Sequence, residues 1–449
     1  MKVSVIGTGY VGLVSGVCLA EVGHDVTCVD VDAAKVARIM KGEPPIHENG
    51  LPELLKKVLG KRFTATRDLR AAVHGSDVTL IAVGTPFDGQ RIDLTFVKAV
   101  AKELGEALKD KPGYHVVVVK STVVPGTTDS VVKPILEEAS GKRCGPDFGV
   151  GMNPEFLTEG QAIADFMNPD RIVLGAMDDR AREVLDALYA PFQGVPRVRT
   201  NPRTAEMIKY ASNAMLATAI SFSNELGNLC AALGQVDVVD VMEGLHLAEY
   251  LTVKGADGVR RKAPIASFFF AGCGFGGSCL PKDVKALAAH GASVGAPMPL
   301  LDSVIAVNRG QPAQVLKLVE QGLRGGGQGD LAGKRVAVLG LAFKPDTDDV
   351  RESPAFPIIR LLLEKQAVVK AYDPVATGEA RKVLGDSVAY AGSAAECIAD
   401  VDVIVLVTRW KEFEAVPALL RGMASPPLLV DGRRQLDKRD VPRYAGIGL

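Results

Sequence analysis

The sequence has no CxxC pair, no apolar run long enough to span a bilayer and no excess of either charge. Seven cysteines lie scattered through 449 residues. An odd, dispersed set argues against a disulfide framework or a zinc knuckle, so no metal is expected, and it points to a reducing compartment. With 52 basic and 53 acidic residues the formal net charge is −1, which gives no sign of bulk nucleic-acid binding or of a polybasic membrane anchor. A charged-then-apolar leader is missing too: MKVSVIGTGY already reads as a strand and a turn. The expectation is a cytoplasmic protein with no nucleic-acid or membrane partner. What is present is ordinary for a globular chain, 47% apolar and 23% charged, and the length suits two or three domains.

Short apolar strands alternate with helical stretches from the start: Val3–Ile6, VTCVDVD ending at Asp30, then DVTLIAVGTP, HVVVVKSTVVPGTT, FGVGMNPEF and IVLGAM. That order predicts a parallel, doubly wound α/β sheet. From Arg203 to Leu233 the chain turns Ala- and Leu-rich, lacks proline and reads as one long helix, with further helix to about Glu249 and from Pro281 to about Gly322. GLRGGGQGD, Gly322 to Asp330, reads as a glycine-rich hinge or linker. The opening pattern then returns: KRVAVLGLAFK echoes KVSVIGTGYVG, VVKAYDP echoes VTCVDVD with Asp373 in the place of Asp30, and DVIVLVTRW echoes DVTLIAVGTP, with PLLVDGRR as a fourth strand. The predicted architecture is two Rossmann-like domains, 1–200 and 323–449, joined by a helical middle, 201–322.

Gly7, Gly9 and Gly12 form GxGxxG between a strand and a helix, and Asp30 ends the next strand. This is the dinucleotide fingerprint in its full context. Gly7 permits the tight turn, Gly9 lets the backbone approach the pyrophosphate and Gly12 lets helix and strand pack closely. A carboxylate at position 30 accepts from a ribose diol and repels a 2′-phosphate, so NAD is expected over NADP. The second half reads GLAFKPDTDD without the third glycine, and carries Lys344 and Arg351. A second NAD site is not expected there. Basic side chains holding a nucleotide phosphate, or a solvated charged loop, are the two readings left open.

In GFGGSCLPKD, Gly274 to Asp283, Pro281 suits the first turn of a helix, which places Cys279 at its positive end with Lys282 nearby. Both features favour a thiolate, the alternative being a packed thiol beside a tight turn. Lys209 and Asn213 are spaced one helical turn apart, as donors to an oxyanion or as surface groups. Glu155 and Glu159 share a face if Pro154 starts a helical turn, and are otherwise solvated charge. A nucleotide-binding sheet with such a cysteine suggests a four-electron oxidation: alcohol to aldehyde, capture of the aldehyde as a thiohemiacetal, a second hydride loss and hydrolysis of the thioester. A two-electron hydroxyacid dehydrogenase would need no cysteine, and a catalytically silent nucleotide-binding protein would need none of these groups.

GTGYVG, VGTP, STVVPGT, NPEF, IKYxxN, GFGGSCLPKD and FKPDTDDVRES together resemble the UDP-glucose/GDP-mannose dehydrogenase family, in order along nearly the whole chain. The resemblance implies Cys279 as nucleophile, Lys209 and Asn213 as oxyanion donors, and Thr122, Glu155 and Asp283 as the groups that place water and move protons, with Glu155 as the base. It implies Tyr10, Val11, Lys35, Thr85, Thr122, Glu159, Lys282 and Arg351 beside the glycines and Asp30 at the NAD. For the nucleotide sugar it implies Glu155, Phe156, Leu157, Glu159, Lys209, Asn213, Phe268, Gly276, Cys279, Lys344, Arg433 and Arg434. It also implies a homodimer built on the long helix. One stretch departs from the family: 243–271 is longer than usual, and Phe270 stands where relatives often carry a basic residue. Arg260, Arg261 and Lys262 are the candidates to replace that charge. Some wording leans to GDP-mannose, but FKPDTDDVRESPA, KYASNAMLATAISF and TRWKEF lean to UDP-glucose, which is the substrate expected.

Overall fold

A computed structural model describes residues 1–324 and 330–449; the centre of the glycine-rich stretch, 325–329, lies outside the described residues. The chain divides into two compact units, 1–212 and 213–449. Helix Pro202–Leu233 runs through the boundary.

The first unit holds eight strands: β1 (Lys2–Ile6), β2 (Asp25–Val29), β3 (Phe63–Thr66), β4 (Val78–Ile81), β5 (Val116–Val119), β6 (Gly149–Met152), β7 (Ile172–Ala176) and β8 (Arg197–Thr200). They lie in the order β3-β2-β1-β4-β5-β6-β7-β8. Every pairing is parallel except β6 with β7, so the sheet is not parallel throughout as the strand–helix alternation predicts. Two strands escape the sequence pattern. β8 is RVRT, with its two central residues exposed at the sheet edge, and β3 has only four residues.

The central strands are apolar on both faces because both faces are covered. Val116 and Val118 pack into one core, Val117 and Val119 into the other. Burying each such valine contributes about 1.5–3 kcal/mol. The strand order reverses between β1 and β4, and ligands of doubly wound sheets bind at the carboxyl ends of strands on either side of such a reversal. The GTGYVG and VGTP segments leave β1 and β4 there.

The second unit repeats the plan. A small antiparallel hairpin, β9 (Thr252–Lys254) and β10 (Arg260–Lys262), precedes a six-stranded parallel sheet of β11 (Arg335–Leu339), β12 (Val368–Tyr372), β13 (Ala389–Tyr390), β14 (Val403–Leu406), β15 (Leu428–Asp431) and β16 (Tyr444–Gly446). Their order is β13-β12-β11-β14-β15-β16, the same reversal at β11 and β14. The helical region expected from Pro281 to Gly322 is two helices, Leu280–Ser293 and Pro299–Arg324. Gly295, at φ +78°, and the prolines at 297 and 299 end the first and start the second. Among the described residues no helix is long and apolar enough to cross a membrane.

Candidate active site

In the first unit the glycine turn is sterically closed to larger residues. Gly7 has φ +100°, and a Cβ on Gly12 would lie 1.9 Å from the Gly7 carbonyl oxygen. A Cβ on Gly9 would meet nothing within 4 Å, so that side of the turn is open to a ligand. Asp30 sits directly after β2. One of its oxygens accepts from the Thr8 amide (2.9 Å) and hydroxyl (2.5 Å), the other from the Asp32 amide (3.0 Å). Burial raises its pKa, but these hydrogen bonds and then Lys35 outweigh burial and hold it below the ordinary carboxylate value. An ionised acceptor beside an open glycine turn fits the ribose and pyrophosphate of NAD. The Thr85 hydroxyl donates to the Thr122 carbonyl at 2.7 Å, tying the VGTP loop to the STVVPGT loop.

Tyr10 leads to a residue that sequence reasoning missed. Its hydroxyl donates to Glu48, a buried carboxylate. Glu48 also accepts from the amides of Gly160 (2.7 Å) and Ala162 (2.9 Å). One side chain thus joins the glycine turn to the segment that carries Glu159. Desolvation and then Glu48 push the Tyr10 phenol far up, so it stays a donor. In the sequence Glu48 is one acid between the turn formers of PPIHENG, with no spacing to mark it. Val11, half-buried, packs against the core.

Pro154 does not start a helical turn: residues 153–158 are irregular and the next helix begins at Ala162. Glu155 and Glu159 therefore do not share a helix face. Nor is Glu155 solvated, since it accepts from the Leu157 amide (2.6 Å) and pairs with Lys209 at 3.0 Å. Burial raises its pKa. Lys209, the Leu157 amide and Lys120 together overcome burial, so Glu155 is ionised below the ordinary range. Lys120, also missed, is fully buried, donates to Asn153 (2.9 Å) and is pushed by desolvation down to about 8. Phe156 lies between cations, with Arg171 4.0 Å and Lys209 5.5 Å from its ring centre. One turn earlier on the long helix than Lys209, buried Glu206 accepts from the amides of Gly126 (2.6 Å) and Thr128 (2.8 Å), which fixes the loop after Thr122.

In the second unit Cys279 stands at the N-cap of helix Leu280–Ser293, with Pro281 and Asp283 in its first turn. Its sulfur lies 3.6 Å from the Ser278 hydroxyl. Five of the other six cysteines are buried, and burial pushes the thiols of Cys18 and Cys397 up to about 12; Cys279 is only half-buried. Asp283, 1% exposed, accepts from Asn213 (2.6 Å) and pairs with Lys282 (2.5 Å). Arg351 forms a fork with Asp349. Gly276 abuts the Glu352 backbone and Phe343, where a Cβ would lie 2.3 Å from the Glu352 carbonyl oxygen.

A cavity of about 190 Å³ in this unit is walled by Phe268, Phe270 and Phe275 and carries Lys344, Arg409 and Arg433. It brings together three residues expected at the nucleotide sugar, Phe268, Lys344 and Arg433. Arg434 is turned to Asp237 in a buried fork of 2.7 and 2.8 Å. Arg260 and Arg261 lie exposed on the hairpin, facing Glu249 and Asp257. Asp373, the counterpart of Asp30, is 2% exposed and accepts from the amides of Leu341, Ala342, Val375 and Ala376 and from the Trp410 indole (3.0 Å). Its acceptor positions are taken by the protein's own donors, a physical reason for the second Rossmann unit to lack a ribose site.

Residues 1–193, 203–310 and 337–438 match, in that order, the NAD binding, central and UDP binding domains of the UDP-glucose/GDP-mannose dehydrogenase family. The UDP-glucose 6-dehydrogenase AglM of Haloferax volcanii is 44% identical over 452 residues, covering 100% of both chains. The UDP-glucose 6-dehydrogenase TuaD of Bacillus subtilis is 43% identical, over 96% of this chain and 89% of its own. The solved structure of a UDP-glucose dehydrogenase from the hyperthermophilic archaeon Pyrobaculum islandicum is 41% identical with a TM-score of 0.88, over 99% of this chain and 97% of that one.

Proposed function

The chain belongs to the UDP-glucose/GDP-mannose dehydrogenase family, with NAD as its cofactor, and we propose that it oxidises the C6 hydroxyl of UDP-glucose to the carboxylate of UDP-glucuronate. When bound, NAD accepts the hydride lost from C6 in each of two oxidations. The glycine turn, the N-terminus of helix Tyr10–Glu21 and Asp30 hold it, with Lys35, Thr85, Glu159, Lys282 and Arg351 as further contacts. The first oxidation leaves an aldehyde. The Cys279 thiolate adds to it, a C–S bond forms, and Lys209 and Asn213 steady the oxyanion. Hydride loss from this carbon converts the thiohemiacetal to a thioester. Glu155 then takes a proton from water placed with Thr122 and Asp283. The water oxygen bonds to the carbonyl carbon, the C–S bond breaks and Cys279 leaves as thiolate. One alcohol and one water become one carboxylate, with two hydrides and three protons released.

The observation that carries the covalent reading is Cys279 itself, half-buried at the N-terminus of a 14-residue helix while five other thiols are buried. The substrate reading rests on the relatives' names and on the cationic, aromatic cavity. We expect two NADH per sugar oxidised, and no acid from Cys279→Ala with NAD affinity preserved. Acid formed by that variant at the parent rate removes the covalent mechanism. A panel of UDP- and GDP-sugars tests the alternative, GDP-mannose. A cytoplasmic homodimer completes the proposal. No disulfide joins any of the seven cysteines, all of which lie among the described residues, and Met215, Phe222 and Leu229 are exposed at seven-residue intervals along the long helix, a stripe suited to a second copy.

A further inference from the structure

Of the three cations on the cavity of the second unit, Arg409 has no role assigned above. Its Nε donates to the Arg433 carbonyl at 2.9 Å, and a terminal nitrogen donates to the same oxygen. Its guanidinium carbon lies 5.3 Å from the centre of the Phe270 ring, which His246 braces edge-on at 4.9 Å. Arg433 is held in the same way, by the carbonyls of Val407 (2.6 Å) and Gly274 (2.9 Å). Among the described residues, every hydrogen bond of the two guanidiniums thus ends on a neutral carbonyl. Asp431, two residues from Arg433, is occupied by the amides of Arg433 and Leu436 and by the Tyr444 hydroxyl.

Carbonyl anchors fix a guanidinium without neutralising it. Crowding of the Arg409 head, followed by the like charge of Arg433, lowers the Arg409 pKa against the opposing pull of the Asp431 carboxylate, so the two cations lie within each other's field although Arg409 as a whole residue is exposed. Each guanidinium has five N–H donors and spends only some of them on these carbonyls. Two immobilised, like-charged forks beside aromatic walls call for a ligand with two adjacent anionic groups and a flat or apolar body. A diphosphate linked to a nucleoside meets that description; a monophosphate brings one anionic group to two cations.

We propose that Arg409 is a specificity residue of the nucleotide-sugar cavity, acting with Arg433 as a two-guanidinium clamp that selects nucleoside diphosphates over monophosphates. This deepens the function proposed above and rests on it. The test is calorimetric titration of UDP, UMP and NAD into the full chain and into Arg409→Gln and Arg409→Lys. Loss of one charge-assisted fork lowers affinity about tenfold to a hundredfold. Arg409→Gln should therefore reduce the UDP-to-UMP affinity ratio at least fivefold, Arg409→Lys should fall between it and the parent, and NAD affinity should stay within twofold. A ratio reduced less than fivefold, or an equal loss for NAD and UDP, overturns the clamp. Turnover of UDP-glucose by the parent tests the function separately. If the parent instead binds GDP, the same ratio is measured with GDP and GMP, and the clamp stands or falls on it. A parent that binds neither diphosphate overturns the clamp.

Discussion

Glu155 and Lys209 form an ion pair at 3.0 Å with side chains only 6% and 4% exposed. A buried pair of this kind costs desolvation on both sides and survives through its geometry and its extra hydrogen bonds. Here the Leu157 amide supplies the extra bond and Lys120 adds a second positive charge. The result is a carboxylate kept ionised in a dry setting, which suits a base that takes a proton from water.

Glu155→Gln should keep the shape and remove the base. We expect turnover to fall about 10²- to 10⁴-fold, the range for loss of a general base. Both oxidations still proceed, so the thioester accumulates. Intact-mass measurement after mixing with UDP-glucose and NAD should show an adduct that maps to Cys279. Slow turnover with no adduct would place Glu155 before the thioester rather than after it.

Glu48→Gln probes the link between the glycine turn and the segment after Glu155. A glutamine offers an N–H where the carboxylate accepted from Gly160 or Ala162. A buried donor left facing a donor costs about 1–3 kcal/mol. The NAD KM should rise severalfold while the nucleotide-sugar KM moves less, and Glu48→Asp should recover part of the loss. A lower melting temperature with an unchanged NAD KM would reduce Glu48 to a structural strut.

Glu206 gives the first unit a pH dependence of known sign. Burial raises its pKa from 4.5 to about 7, against the hydrogen bonds it accepts from Thr128 and Gly126. The fold therefore holds a proton that the unfolded chain has released between these values. The stabilising contribution is complete below pH 4.5 and is lost as pH rises through 7, by about 3 kcal/mol. Glu206→Gln should flatten the fall in melting temperature across that window. An unchanged slope would assign the pH dependence to other groups.

Local chemistry decided what could be read in the sequence. The glycine turn, Asp30 and the Cys279 helix start are runs of neighbouring residues, each with its own physical reason, and they lie between β1 and its helix, directly after β2 and at the N-cap of helix Leu280–Ser293. For Glu155 the sequence offers a helical turn at Pro154 or solvated charge, and neither is present; what fixes it is a contact with Lys209 across 54 positions. Glu48 and Lys120 meet their partners at sequence separations of 112 and 33, so no window along the chain contains both sides. Arg409 in TRWKEF resembles any charged loop residue until Phe270 and Arg433 are seen beside it. The missed strands are short or polar edge strands whose pairing, rather than their composition, makes them strands.

The indole that closes Asp373 belongs to the chain's one tryptophan. Trp410 is 8% exposed and follows Thr408 and Arg409, both on the wall of the cavity. Intrinsic tryptophan emission therefore comes from the second unit alone, from a ring locked by a 3.0 Å hydrogen bond within one residue of the diphosphate clamp. The protein carries a built-in optical reporter: filling the cavity should change the emission through Arg409, the residue next to the indole, with no dye and no engineered label.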